Sequence, residues 1–145
     1  MNRKPILLIR VAAACSAFFA FGHTIGHFTR KSSTDPQAAE VFRQMENYKF
    51  PLGGQWRSYD EFYTGMSSNL IITLIVLTII LWMLSGSVEE YFLLVKKLLV
   101  PIFLCFAAFA ITGFLFFFMV PAITCFVACI CIIVAYLQLS KSRAR

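Results

Sequence analysis

Two histidines, His23 and His27, stand near the end of a long apolar run that begins at Ile6. A spacing of four residues places both imidazoles on one face of a helix, close enough to share a metal ion, a haem, a proton or an acidic neighbour. Plain anchoring of the helix, by hydrogen bonds to a carbonyl, a tyrosine or water, fits the same spacing. The pair is therefore the first candidate for ligand or metal binding.

Asp60 and Glu61 are the acidic side chains that a metal or proton site would use. They lie at the outer start of the second predicted helix, and consecutive helices usually pack together. Two imidazoles with one or two carboxylates suit zinc, iron or manganese, and equally a proton relay or a hydrogen-bonded polar cluster. Both acids also suit a first-turn role that complements the helix dipole. Thr24 stands where a His-Glu-x-x-His zinc protease has its glutamate, so that motif is absent.

The composition excludes an ordinary soluble domain, because 59% of the 145 residues are hydrophobic and 14% are charged. The apolar runs suffice for four membrane spans of roughly 20 residues each. The first run is too long for a cleaved signal and is predicted to be a mature helix. We predict an all-α integral membrane four-helix bundle, one membrane domain over 1–145. Its predicted spans are 6–28, 64–85, 92–115 and 121–139, with an outer loop at 29–63.

Basic residues orient the predicted bundle, because cytoplasmic segments of membrane proteins are enriched in lysine and arginine. They lie around the first span, at the start of the third and at the chain end: Arg3, Lys4, Arg10, Lys96, Lys97, Lys141, Arg143 and Arg145. Both termini are thus expected in the cytoplasm. The net charge of +6 is explained by this topology and by anionic lipid, and the expected partner is the bilayer rather than a nucleic acid.

Ser58 to Glu61 has the form of a capping box, which predicts a helix start near Ser58. Ser87 to Glu90 repeats the pattern before the third span, and the chain is expected to turn again between Gly113 and Pro121. Tyrosines near the first box, with Trp56, form a predicted interfacial aromatic belt. The supporting polar and aromatic side chains are Arg57, Ser58, Tyr59, Tyr63 and Asn69.

The outer loop is predicted to contain a short amphipathic helix lying on the membrane. Asp35 suits a helix N-cap followed by Pro36, and four apolar side chains then share one helical face. Those side chains are Val41, Phe42, Met45 and Tyr48. Gly53 and Gly54 allow the chain to turn back toward the second span, and the loop is placed to cover the outer mouth of the bundle.

Gly22 and Gly26 form a Gly-x-x-x-Gly pattern, which predicts close approach of a neighbouring helix beside the histidines. All five cysteines fall inside predicted spans and are expected to be small buried packing residues. They are Cys15, Cys105, Cys125, Cys129 and Cys131. Cys105 and Cys129 are predicted at similar depth, so a redox pair or a soft-metal site is an alternative, although no Cys-x-x-Cys exists.

Two short motifs carry a resemblance: Gly22-His23-Thr24 and Arg57-Ser58-Tyr59-x-x-Phe62-Tyr63-x-Gly65. With them the chain resembles an uncharacterised family of small bacterial four-helix membrane proteins over most of its length. In size and topology it is also similar to the DoxX-like membrane proteins. The resemblance implies a four-helix architecture in a bacterial cytoplasmic membrane, and it implies no particular reaction.

Three functional classes follow from these features. The first is a membrane protein that holds a lipid, a quinone or a partner at its outer face, which needs a pocket with a few polar groups. The second is a membrane metalloenzyme, or a redox or haem protein, using His23 and His27 with Asp60 and Glu61. The third, an exporter or channel, is disfavoured because the cores of the last three spans contain no ionisable residue.

Overall fold

The computed structural model describes residues 3–142, so Arg143 and Arg145 of the predicted cytoplasmic tail lie outside the described residues. The described chain contains five helices and one antiparallel sheet of two strands. The helices are α1 (Lys4–Thr29), α2 (Pro36–Asn47), α3 (Tyr59–Gly86), α4 (Phe92–Phe116) and α5 (Met119–Ser142). The strands are β1 (Lys49–Leu52) and β2 (Gln55–Ser58).

Four of these helices, α1, α3, α4 and α5, are long and apolar enough to cross a membrane. The prediction of an all-α four-helix membrane fold is confirmed, and the chain is a multi-pass integral membrane protein. The predicted turn between the last two spans is also confirmed, because α4 ends at Phe116 and α5 begins at Met119.

The described chain divides into two compact units, one formed by residues 3–19 with 74–142 and the other by Ala20–Thr73. In the first unit, α4 buries a stripe of side chains three or four residues apart, which is the repeat of a helix face. The stripe consists of Val95, Leu99, Ile102, Phe106, Ala110 and Gly113. The hydroxyl of Ser16 on α1 donates to the carbonyl of Leu74 at 2.9 Å. This gives the hydroxyl a hydrogen-bond partner, which lipid tails cannot provide.

All five cysteines, each within residues 3–142, are free thiols. Cys125, Cys129 and Cys131 are buried on α5, and Cys15 and Cys105 are half-buried. The prediction that they fill space in the packing is confirmed for the three buried residues, which lie in the core between helices.

The second predicted capping box was wrong. The hydroxyl of Ser87 donates back to the carbonyl of Met83 at 3.1 Å, and the Ser87 amide donates to the same turn of α3. Ser87 therefore closes α3. α4 begins only at Phe92, after Tyr91, and no side chain of a described residue caps it.

The connection between α1 and α3 holds the predicted amphipathic helix, α2. The Asp35 side chain accepts from the amide of Gln37 at 3.0 Å and Pro36 opens the helix, as expected. Phe42 and Met45 are half-buried on one face. Two members of the predicted face differ: Val41 is 57% exposed, and Tyr48 is 60% exposed and lies just beyond the helix end.

A β-hairpin follows α2, and it was not predicted. Gly53 and Gly54 have φ angles of 57° and 82°, the left-handed conformation that a two-residue type I′ turn requires and that glycine adopts freely. The strands pair with Lys49 opposite Ser58 and Leu52 opposite Gln55. The hairpin delivers the chain to the first residue of α3, so it sets where that helix begins.

Candidate functional site

The two histidines converge on one serine hydroxyl. His23 Nε2 lies 2.9 Å from Ser67 Oγ, and His27 Nδ1 lies 2.8 Å from the same oxygen. Ser67 is 6% exposed, whereas both imidazoles are half-buried. The spacing of four residues therefore does bring both rings to one place, and the group that they share is a hydroxyl on α3.

A serine hydroxyl has one proton to donate and two lone pairs to accept with. When Ser67 donates to one neutral ring, the other ring has to donate its own N–H to Ser67, so one of the two contacting ring nitrogens carries a proton and the other does not. If His27 accepts at Nδ1, its proton is on Nε2. Within residues 3–142, His27 Nε2 makes no hydrogen bond. The cluster then presents a directed N–H donor on a half-buried ring.

Arg30 and Asp60 form the second half of the site. Arg30 Nη2 donates to Asp60 Oδ1 at 2.6 Å and to Thr64 Oγ1 at 2.8 Å. The guanidinium also lies 4.8 Å from the centre of the Tyr63 ring, a cation–π contact. The Arg30 and Asp60 side chains are each 12% exposed, so this ion pair is largely withdrawn from solvent.

Lys31 extends the ion pair toward α2. Its ammonium donates to Asp60 Oδ2 at 2.8 Å and to the carboxylate of Glu46. These hydrogen bonds, the one to Asp60 first, raise the pKa of Lys31 above its ordinary value. Lys31 and Glu46 are 40% and 49% exposed, so their own pair is screened by water and adds little.

These contacts form one continuous row, which we call the polar seam. Residue numbers rise along α1 while those of their partners fall along α3, so the two helix segments run antiparallel. Along each segment the members are spaced by four and three residues, which keeps them on one side. The seam consists of His23 and His27 on α1, Arg30 directly after α1, and Asp60, Thr64 and Ser67 on α3.

The first predicted capping box is confirmed. The Ser58 amide donates to Glu61 Oε2 at 2.8 Å, and the Glu61 amide donates to Ser58 Oγ at 3.1 Å. This fixes the start of α3 one residue after Ser58 and thereby places Asp60 in its first turn. Glu61 is held by the cap and by Arg57 at 3.8 Å, and it is not a member of the seam.

The remaining supporting residues lie outside the seam. The ring of Tyr59 stacks on that of Tyr48 with centroids 5.8 Å apart, and it also contacts Phe50 at 4.8 Å. Arg57 donates to the side chain of Gln55 on the hairpin. Asn69 is exposed on α3. These residues position the hairpin and the helix start rather than the histidines.

The structure does not bring Asp60 and Glu61 to the two histidines. Asp60 is engaged by Arg30 and Lys31, and it lies seven residues from Ser67, about 10 Å along a helix that rises 1.5 Å per residue. Within residues 3–142, no three His, Cys, Asp or Glu side chains are placed to hold a metal ion together. A metal or haem at this site would rest on the two histidines alone.

The structure does not place Gly22 and Gly26 at the close helix contact that their spacing predicts. Both glycines are exposed on α1. A methyl group built at either would meet no atom of the described residues within 4 Å. The Gly-x-x-x-Gly pattern is present, but it mediates no close contact with the residues that the structure describes.

Sequence reasoning did not assign Arg30, Thr64 and Ser67 to the site. A signal was available, because Asp60, Thr64 and Ser67 repeat the spacing of His23, His27 and Arg30 along the chain. Two polar rows of equal spacing, on apolar helices that follow each other, satisfy one another when the helices run antiparallel. Matching both rows predicts the pairing better than treating the histidines by themselves.

Replacing Ser67 by alanine is expected to lower the free energy of unfolding by about 2 kcal/mol, because two ring nitrogens in an apolar span lose their shared partner. Ser68→Ala is the matched control, since Ser68 makes no side-chain hydrogen bond among residues 3–142. The protein is heated in detergent, and its unfolding is monitored by the reaction of the native thiols with a maleimide dye. Equal midpoints for the two variants would show that the serine does not hold the rings.

Comparison with protein-family models, with curated proteins and with solved structures finds no match to this chain. The functional interpretation accordingly comes from the geometry of the polar seam and of the membrane-spanning helices.

Proposed function

We propose that this protein binds the carbonyl head of a lipid-soluble molecule, a quinone or a lipid ester, at the histidine end of the polar seam. The observation that carries the proposal is His27, whose Nδ1 is held by Ser67 while its Nε2 makes no hydrogen bond within residues 3–142. In the tautomer in which His27 accepts from Ser67 at Nδ1, Nε2 carries the ring proton. An N–H donor in an apolar span gains free energy from an acceptor, because lipid tails offer none. A carbonyl oxygen is such an acceptor.

The surroundings of His27 support a ligand with an apolar body. The neighbouring Phe28 ring meets His27 edge-on, with centroids 5.0 Å apart, and is 77% exposed. Ile25 on α1 and Met66 on α3 are 48% and 60% exposed. A site of a few polar groups within an apolar surface is typical of small-molecule binding.

The test uses two substitutions of His27 that differ in which ring nitrogen they replace. Asparagine places its amide near the position of Nδ1 and keeps the bond to Ser67, whereas glutamine reaches the position of Nε2. Binding of a short-chain benzoquinone is measured by quenching of the fluorescence of the chain's two tryptophans. We expect saturable quenching for the native protein and for His27→Gln. In His27→Asn the affinity for the quinone is expected to fall about tenfold, because one hydrogen bond is lost.

A phospholipid brominated in its acyl chains is the second probe. Saturable quenching by the quinone alone assigns the site to quinones, and quenching by the phospholipid that His27→Asn weakens assigns it to a lipid ester. The proposal fails if neither probe saturates, or if His27→Asn binds both as the native protein does.

We also propose that the protein resides in a bacterial cytoplasmic membrane with both termini in the cytoplasm. The basic residues at the start of α1 and α4 support this orientation, and the family resemblance supports the source. Single cysteines placed in the 32–54 segment of a cysteine-free variant are expected to react with an impermeant maleimide from outside the cell. Labelling only after lysis would reverse the orientation.

A further inference from the structure

A basic cavity lies between the first turns of α1 and the last turns of α3. Its volume is about 620 Å³. Its lining combines charged side chains with an apolar wall and includes Arg3, Lys4, Leu7, Arg10, Ser85 and Glu89. All of these residues belong to the unit that does not contain the polar seam, so this is a separate site.

Arg10 is held in place within this cavity. Its Nε donates to Ser85 Oγ at 3.3 Å, and its guanidinium lies 5.2 Å from the centre of the Trp82 ring. Ser85 is 1% exposed and is itself fixed by a hydrogen bond to the carbonyl of Trp82 at 2.7 Å. An arginine head that is oriented in advance loses less entropy when it binds an anion.

The charge of the lining selects for anions. Three cations, Arg3, Lys4 and Arg10, stand against one carboxylate, Glu89. Guanidinium groups bind phosphate with paired, charge-assisted hydrogen bonds, and basic pockets between membrane helices are typical sites for lipid headgroups. Leu7 lines the same cavity and is 63% exposed, which places apolar surface beside the cations.

We infer that this cavity binds a phosphate-bearing anion, either the headgroup of an anionic phospholipid or free phosphate. The volume lies within the range of roughly 300–1,000 Å³ that holds whole small molecules. It therefore has room for a phosphodiester with its glycerol as well as for the bare ion. The adjoining apolar wall suits the upper part of an acyl chain.

The test measures the unfolding midpoint of the purified protein as three additives are titrated: phosphatidylglycerol, phosphatidylcholine and inorganic phosphate. The variant is Arg3→Gln/Lys4→Gln. The matched control, Lys97→Gln/Lys141→Gln, also removes two exposed positive charges, but neither residue lines the cavity. We expect phosphatidylglycerol to stabilise the native protein. Its apparent affinity should be about 25-fold lower in the variant, because each lost charge weakens binding about fivefold, and it should be unchanged in the control.

Arg10→Lys is the second variant, because it keeps the charge and removes the oriented guanidinium. It is expected to weaken the response to the same additive while Lys97→Gln/Lys141→Gln does not. Stabilisation by inorganic phosphate as large as that by phosphatidylglycerol would support the site and assign it to the free ion. Equal responses to phosphatidylglycerol and phosphatidylcholine, or equal losses in the cavity variant and the control, would overturn the inference.

Discussion

Replacing Asp60 by alanine is expected to lower the free energy of unfolding by about 3 kcal/mol, the cost of breaking a largely buried ion pair by removing one partner. Two cations, Arg30 and Lys31, lose their shared counter-charge. The cost is largest for Arg30, because its side chain is 12% exposed and its Nη1 already lacks a hydrogen-bond partner among the described residues. For a chain of this length the unfolding midpoint falls by about 10 °C.

Glu40→Gln is the matched control, since it removes one carboxylate from an exposed ion pair with Arg43. Hydrogen bonds from Arg43 lower the pKa of Glu40 to about 2, so Glu40 is ionised at neutral pH, and no measurable change is expected from an exposed pair. Both variants are compared in the thiol-labelling assay. A loss of stability in Asp60→Ala no larger than in Glu40→Gln would contradict a structural role for the buried pair.

The Asp60 contact also predicts a pH dependence at Lys31. Because the pKa of Lys31 is raised in the folded protein, its contribution is complete at pH values below the ordinary 10.5 and is lost as pH rises through the higher folded value. Asp60→Asn removes the main cause of the shift. The alkaline fall in stability that Lys31 causes should therefore be smaller in Asp60→Asn than in the native protein.

Replacing Gly113 by leucine is expected to lower the free energy of unfolding by about 3 kcal/mol or more, the upper range for overpacking a filled interior. A methyl group at Gly113 would lie 3.0 Å from both the Cα and the Cβ of Ala122. Part of this contact is backbone, which cannot rotate away, so α4 and α5 would have to separate. Gly113→Ala meets the same atoms and should show a smaller loss in the same assay.

Gly22→Leu is the control for this prediction, because nothing among the described residues lies within 4 Å of a methyl group built at Gly22. Its unfolding midpoint should equal that of the native protein. Ala122→Gly combined with Gly113→Ala should recover part of the loss, since one of the two crowded atoms is removed. If Gly22→Leu is destabilising and Gly113→Leu is not, the assignment of the close helix contact is wrong.

The polar seam explains how an apolar chain keeps two histidines in a span. Ser67 and Asp60 each serve two partners from α1 or the residues after it. Every such bond satisfies groups that hydrocarbon would leave without partners. The same row of contacts leaves His27 Nε2 available for a ligand. The stability tests on Ser67 and Asp60 therefore examine how the helix segments pair, and the binding test on His27 examines the ligand site.

The amino-acid sequence by itself determined the helices and several of their ends. Apolar length decides which segments span, because lipid satisfies no backbone hydrogen bond. Ser58 with Glu61 and Asp35 with Pro36 were readable because capping uses neighbours within four residues. The hairpin was also readable in principle, since Gly53-Gly54 is a local turn signal.

Partner choice was decided only by the tertiary structure. Asp60 pairs with Arg30 rather than with the histidines, and Ser67 rather than an acid lies between His23 and His27. Gly113, not Gly22, stands at a close helix contact. The spacing of residues within one helix fixes the face that they share, but the rotation and axial register of one helix against another are set by the packing of all their side chains together, and these determine which faces meet.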